Sequence, residues 1–122
     1  MAKKNISKIE LLVEIDENKI PEKIYWTAKD GNISNKETKA ALLSLWDSES
    51  KESLRIDLWT KDMPIDDMKM FFYQTLSTMT DTYQRATQDE EMTKSMKDFC
   101  NFFAKKLELS EKYLPFIYPI TI

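Results

Sequence analysis

Four carboxylates are the side chains of this chain whose types and spacing come nearest to a reactive or metal-binding cluster: Asp57, Asp62, Asp66 and Asp67. Carboxylates that converge on one point can hold a divalent cation, because hard cations prefer oxygen ligands. Asp57, however, belongs to an alternating stretch typical of a strand. The other three flank Pro64, where Asp62 is expected to cap a helix and its two neighbours to complement the helix dipole. The pattern therefore predicts a helix start and no metal site.

The single cysteine, Cys100, is the next candidate for chemistry. A nucleophilic thiol needs partial exposure and a positive neighbour that stabilises the thiolate. Cys100 instead lies on an apolar helical stripe between Phe99 and Phe103, so we expect it to be a buried small hydrophobe.

The composition excludes several classes of enzyme. The 122 residues include no histidine and a single glycine, Gly31. Triads that use imidazole as a base, imidazole–zinc sites and glycine-rich phosphate loops are therefore excluded. We expect no enzymatic activity and no cofactor.

The charge and the N-terminus predict the compartment. Lysine and arginine total 18 against 21 acidic residues, and the only arginines are Arg55 and Arg85. Because nucleic-acid binding needs a cationic face, we expect no nucleic-acid partner. No stretch resembles the apolar core of a secretory signal or a span of about 20 apolar residues. A free cysteine and seven methionines suit a reducing compartment, so a cytoplasmic protein without a direct membrane span is expected.

The first half of the chain alternates with a period of two, which predicts strands. The strands are expected at about 8–16, 21–30, 42–47 and 53–60. In the second of them, Trp26 shares a face with Ile24 and is expected in the core. A capping-box spacing predicts a short helix over about 35–42 that runs into the third strand. The pattern of residues 35–46 is compatible with either a helix or a strand.

From Pro64 onward, apolar residues recur every three or four positions, which predicts two long amphipathic helices. The first stripe consists of Met68, Phe72, Leu76, Met79, Tyr83 and Ala86. The second consists of Met92, Met96, Phe99, Cys100, Phe103 and Leu107. Asp89, Glu90 and Glu91 are expected to open this second helix as its cap and first-turn charges. We therefore predict an α+β fold in which an antiparallel sheet of about four strands is followed by two long helices packed on one face. A single domain over 1–122 is expected, with a core over about 6–109 and an apolar, proline-containing tail over 110–122.

Five residues form the candidate protein-interaction surface: Trp46, Arg55, Trp59, Phe116 and Tyr118. Trp46 falls on a strand face that it shares with Leu42 and Ser44, opposite Leu43 and Leu45. Trp59 falls on the face opposite Leu54, Ile56 and Leu58, next to Asp57 and Arg55. Exposed aromatic residues with arginine are typical of protein contacts. Packing of these tryptophans on a short helix or on the tail is the open alternative.

The tail, SEKYLPFIYPITI, carries seven large apolar side chains and two prolines that exclude a regular helix. Burial of three such side chains, at roughly 1.5–3 kcal/mol each, narrowly outweighs ordering a short segment at about 1–2 kcal/mol per residue. We expect the tail to dock as an extended segment on a sheet edge, its own or a neighbour's. Exchange with a neighbour, which gives a homo-oligomer, is favoured.

The most distinctive stretches of the sequence are DENKIPEKIYWTAKDG, LLSLWDSESKESLRIDLWTKDMPIDDMKMFFYQTLSTMTDTYQRAT and MKDFCNFFAKKLEL. They resemble the gliding motility-associated protein GldC family over about residues 6–109. The resemblance implies a small, soluble, cytoplasmic accessory protein of surface gliding, in a system tied to the secretion machinery of the cell envelope. It also implies protein partners from that machinery, no enzymatic activity and no cofactor, and it transfers no functional residue.

A second interpretation comes from a different class of protein. The order of strands and helices in an acidic chain without histidine is similar to the tetrameric export chaperone SecB, a likeness of topology alone. Such a holdase needs an exposed apolar groove, which Trp46, Trp59 and the methionines could supply. An accessory protein holds one stoichiometric partner, whereas a holdase binds many unfolded clients.

Overall fold

A computed structural model describes residues 5–109, and within them five strands precede two helices. The α+β class and the order of strands and helices predicted from the sequence are confirmed. The strands are β1 (Ile9–Ile15), β2 (Pro21–Ala28), β3 (Ile33–Thr38), β4 (Ala40–Asp47) and β5 (Glu52–Trp59). The helices are α1 (Ile65–Thr87) and α2 (Glu90–Lys106). In place of one sheet of about four strands, there are two antiparallel sheets, β1-β2-β3 and β4-β5.

The described residues divide into two compact units, a strand unit that ends at Met63 and a helix unit that begins at Pro64. The strand unit contains both sheets, and the helix unit contains α1 and α2. The single domain expected from the sequence stays a prediction.

The alternation of β1 and β2 produces the three-stranded sheet. Val13 lies opposite Ile24 and Leu11 lies opposite Trp26 in the β1–β2 register. Ile24 and Ala28 are buried, whereas Trp26, expected in the core, is half-buried. The buried side of this sheet is therefore concentrated on β2.

The short helix predicted over about 35–42 is wrong, because β3 and the start of β4 occupy these residues. Thr38 lies opposite Ile24 in the β2–β3 register. The Asn35 N–H donates to the Thr27 Oγ1 at 2.9 Å. Pairing with β2 satisfies backbone groups that a helix would bond internally, and it overrides the local capping-box signal.

The β4–β5 hairpin confirms the strands predicted over 42–47 and 53–60. Its turn is organised by the Asp47 carboxylate, which accepts the Glu49 N–H at 3.0 Å and the Ser50 hydroxyl at 3.1 Å. Such side-chain bonds to the next residues are the reason that aspartate favours turns.

The two helices begin differently. Asp89 caps α2 by accepting the Met92 N–H at 3.0 Å, as the acidic start of this helix predicted. The prediction that Asp62 caps α1 is wrong, because the N-cap is Pro64 and makes no side-chain hydrogen bond. The Asp62 carboxylate instead accepts the Thr60 hydroxyl at 2.6 Å, a strand-end contact that the sequence pattern did not indicate.

The helix unit has a small core of its own, formed by Tyr73, Cys100 and Ala104. Cys100 is buried, which confirms its expected place as a small hydrophobe. Two members of the predicted α1 stripe, Phe72 and Met79, are 43% and 54% exposed. The contact between the two helices therefore includes only part of the predicted stripe.

Candidate protein-interaction surface

The β4–β5 register divides the side chains of the hairpin into two faces. Residues that pair directly across antiparallel strands project to the same face, and successive residues project to opposite faces. We call one face the tryptophan face, and its pairs are Ala40–Trp59, Leu42–Asp57, Ser44–Arg55 and Trp46–Ser53. The fold thus places on one face the three hairpin residues that the sequence singled out, Trp46, Arg55 and Trp59.

The tryptophan face presents two indoles with an ion pair between them. Trp46 is 63% exposed and Trp59 is 56% exposed. Because Trp59 pairs with Ala40, the indoles lie near opposite ends of the face, roughly 20 Å apart at about 3.3 Å per residue. The Arg55 Nη2 lies 3.3 Å from the Asp57 Oδ2 between them. An exposed pair of this kind adds little to folding, so these charges stay available to a partner.

The opposite side, which we call the leucine face, carries three aliphatic pairs: Ala41–Leu58, Leu43–Ile56 and Leu45–Leu54. Leu45 and Leu54 are 57% and 55% exposed, and Leu43 and Ile56 are 40% and 49% exposed. The sequence placed these leucines opposite the exposed tryptophans, and it gave no sign that they too are exposed. Alternation indicates that a face is apolar, but it carries no information about what covers that face.

Lys61 joins the end of β5 to the three-stranded sheet. Its N–H donates to the Pro21 carbonyl at 3.3 Å, and its Nζ lies 2.6 Å from the Asp16 Oδ2 and 3.4 Å from the Glu22 Oε1. The hydrogen bond from Lys61, with help from the Ile20 N–H, holds the pKa of the Asp16 carboxyl below its usual range. The same contact raises the pKa of Lys61.

Thr60 and its neighbours provide a second anchor at the base of the hairpin, which is the end of its two strands opposite the turn. Thr60 is 2% exposed, and its N–H donates to the Lys39 carbonyl at 2.8 Å. The Lys39 Nζ lies 2.8 Å from the Asp62 Oδ2, which lowers the pKa of that carboxyl. The hairpin is thereby held at its base while both faces extend from it.

The four carboxylates of Asp57, Asp62, Asp66 and Asp67 do not converge on one point. Asp57 pairs with Arg55 on the hairpin, Asp62 pairs with Lys39, and the other two lie in the first turn of α1. Within residues 5–109, no three histidine, cysteine, aspartate or glutamate side chains are grouped so that they could hold a metal ion. In the same part of the chain, neither helix is long and apolar enough to cross a membrane.

Phe116 and Tyr118, the other two candidate interaction residues, lie outside the described residues, as does the rest of the apolar tail. Their contribution to the interaction surface therefore stays a prediction.

Comparison with known proteins gives the family. The model of the family described as gliding motility-associated protein GldC-like matches residues 21–109, most of the chain. The chain belongs to the GldC-like family. No curated protein and no solved structure matches it. The resemblance seen in the sequence is confirmed, over a range that begins at Pro21.

The GldC-like match includes the whole β4–β5 hairpin and both helices, whereas β1 precedes it and the apolar tail follows it. The tryptophan face therefore lies within the residues that match the family model.

Proposed function

We propose that this GldC-like protein is a non-enzymatic accessory protein of bacterial gliding motility, which works in the cytoplasm by binding a protein partner. The family match supports the link to motility. The observation that carries the binding role is the tryptophan face, where two indoles more than half exposed flank an arginine. Tryptophan and arginine are the residues most enriched among those that dominate the binding energy of protein interfaces.

The geometry of the tryptophan face suggests how it recognises its partner. Trp46 and Trp59 act as two apolar anchors near the ends of the hairpin. Between them, Arg55 can exchange its exposed contact with Asp57 for a carboxylate of the partner, which guanidinium groups bind in a two-pronged geometry. The expected partner surface thus has two apolar pockets roughly 20 Å apart, with acidic character between them.

The surroundings of Cys100 and of the carboxylates, the candidates for catalysis, support a non-enzymatic role. Cys100 is buried in the helix unit, 3.6 Å from the Thr80 hydroxyl, and thus away from the solvent that a nucleophile needs. The Asp62 carboxylate pairs with Lys39 and accepts the Thr60 hydroxyl. As partners we propose proteins of the motility or secretion machinery and further copies of the chain, with no nucleic acid and no direct membrane span.

Quantitative affinity capture from a gliding bacterium tests the binding role. The full chain is compared with the double variant Trp46→Ser/Trp59→Ser and with a matched control, Phe72→Ser/Phe102→Ser, which removes two exposed aromatic side chains from the helix unit outside its apolar groove. We expect one dominant stoichiometric partner with the wild type and the control, and its loss with the tryptophan variant. Equal recovery of that partner by all three proteins would contradict the proposal.

The second candidate function is that of a SecB-like export chaperone. The observation that favours it is the exposed leucine face, together with an open apolar groove in the helix unit lined by Leu76, Met79, Met92, Met96 and Phe99. Capture of many unfolded clients in less than stoichiometric amounts, and suppression of aggregation of an unfolded model protein, would support this alternative over the accessory role.

A further inference from the structure

The tryptophan face carries one bulky and one small side chain at each end of the hairpin. At the base, Trp59 of β5 lies beside Ala40 of β4, and near the turn Trp46 of β4 lies beside Ser53 of β5. The bulky side chain thus changes strand between the two ends. An isologous interface, in which the same patch of two copies meets itself, requires a surface with this kind of self-complementarity.

A two-fold axis that lies parallel to the sheet and crosses its strands brings two tryptophan faces together. Such an axis stacks β5 on β5 of a second copy in the opposite direction, and β4 on β4 in the same way. With the axis midway between the two central pairs of the face, Trp59 lies opposite Ser53 of the second copy. Trp46 likewise lies opposite Ala40 of the second copy. Each indole therefore meets a small side chain.

The charges of the face match under the same rotation. The two central pairs are Leu42–Asp57 and Ser44–Arg55, so Arg55 of each copy lies opposite Asp57 of the other. Packed sheets lie about 10 Å apart, a gap that an arginine and a carboxylate can span together. The central pairs also lie nearest the axis, where the angle of about 30° between packed sheets displaces side chains least.

The charges select this axis over the other one that size alone allows. A two-fold axis parallel to the strands also sets indoles against small side chains, but it leaves Asp57 opposite Leu42. Within one copy, the Arg55 Nη2 lies 3.3 Å from the Asp57 Oδ2, and the two side chains are 61% and 41% exposed. An exposed contact of this kind is weak, so both groups can turn to the second copy.

We propose that the tryptophan face meets the same face of a second copy in a symmetric dimer that covers Trp46 and Trp59. The occupant is a second copy, because a face cannot meet itself within one chain. Four pairs per copy form the contact, fewer residues than the roughly 20–30 per side of a standard interface, so the dimer is weak and reversible. It covers the site proposed for the motility partner, so the two associations exclude each other. That consequence rests on the proposed function, whereas the dimer does not.

Two charge reversals in the full chain test the dimer. Arg55→Asp sets acidic side chains against acidic ones across the interface, and Asp57→Arg sets basic against basic, so each variant should repel itself. An equimolar mixture restores both cross pairs, although neither chain keeps its internal ion pair. We expect sedimentation equilibrium to give a dimer for the wild type and for the mixture. The dissociation constant of each variant with itself should be at least about tenfold higher than either.

Lys94→Glu and Asp98→Lys provide a matched control in the helix unit, because they change the net charge by the same amounts. Each should form dimers as the wild type does. Acrylamide, which quenches exposed indoles, should quench tryptophan emission less in the mixture of hairpin variants than in either variant alone. Circular dichroism checks that the exposed substitutions leave the strands and helices intact.

A wild type that stays monomeric over the whole concentration range overturns the proposal. A mixture that associates no more tightly than its components, or a dimeric mixture with unchanged quenching, also overturns it. Equal weakening by the control reversals would show a general effect of net charge and would overturn it as well. All these measurements use the purified chain alone, so a failure to capture the motility partner leaves their result readable.

Discussion

The α1–α2 pair and the β4–β5 hairpin are both built from two neighbouring elements with apolar faces, yet only the helix pair buries apolar side chains between its own elements. Tyr73, Cys100 and Ala104 are each at most 8% exposed in the helix unit. On the leucine face of the hairpin, Leu45 and Leu54 remain more than half exposed.

The difference follows from geometry. Two helices face each other, so side chains from both enter a shared seam. Two strands lie side by side in one layer, so their side chains leave the layer on both faces and need a second layer to cover them. The comparison teaches that two paired helices bury apolar side chains in their own seam, whereas the leucine face of a two-stranded hairpin needs a second layer to cover it.

The largest expected effect comes from placing a charge in the helix seam. Ala104→Asp should lower the free energy of unfolding by about 3 kcal/mol or more, because the new carboxylate is buried without a partner. Leu45→Asp on the leucine face should lower it by less than about 1 kcal/mol, because that side chain is 57% exposed. Urea unfolding followed by circular dichroism measures both free energies of unfolding. Similar losses in the two variants would contradict the contrast between the helix seam and the leucine face.

A smaller difference is expected within the strand unit. Ile24→Ala should cost about 2–5 kcal/mol, because Ile24 is fully buried in the three-stranded sheet. The matched change Ile56→Ala on the leucine face should cost clearly less, since Ile56 is 49% exposed. The midpoints of urea unfolding give the two free energies if both variants show the same dependence of the unfolding free energy on urea concentration. A larger loss for Ile56→Ala than for Ile24→Ala would show that the leucine face is covered in solution.

The cap of α2 provides an effect of intermediate size. Asp89→Ala should destabilise the helix unit by about 1 kcal/mol, because the Met92 N–H loses its acceptor. The Tyr83 hydroxyl, which donates to the same carboxylate at 3.0 Å, also loses its partner. Glu91→Ala is the control, with an expected cost of no more than about 0.5 kcal/mol, and thermal unfolding of both variants distinguishes capping from simple loss of charge.

The smallest effect concerns pH at the base of the hairpin. The contact with Lys61 lowers the pKa of Asp16, so its stabilising contribution is present above the pKa of the unfolded chain and is lost as pH falls through the folded pKa. The difference in urea midpoint between wild type and Asp16→Asn should therefore shrink as pH falls from 7 to 3. A difference that stays constant over this range would mean that the turn hydrogen bonds of Asp16, and not its charge, provide the stabilisation.

The sequence was informative where a local pattern determines the structure. Alternation is sufficient to place Trp46 and Trp59 on the side opposite the leucine face, because strand geometry alone decides which residues share a face. An acidic residue before an apolar stripe was sufficient to find the Asp89 cap.

Features that depend on distant residues could not be predicted in this way. The segment over 35–42 carries a helix signal, but pairing with β2 decides its conformation. Asp62 looks like a cap, but Lys39 and Thr60 engage it instead. The exposure of the leucine face depends on what lies against it, which the alternation of its residues does not encode.

The most direct test of the account is gliding by cells that lack their own GldC-like gene and carry a variant of this chain. With protein levels matched, the wild type and the control Phe72→Ser/Phe102→Ser should restore gliding, and Trp46→Ser/Trp59→Ser should not. The reason is that the partner is proposed to bind the tryptophan face of the hairpin and not the exposed aromatic side chains of the helix unit. Gliding at wild-type speed with the tryptophan variant would contradict the central claim.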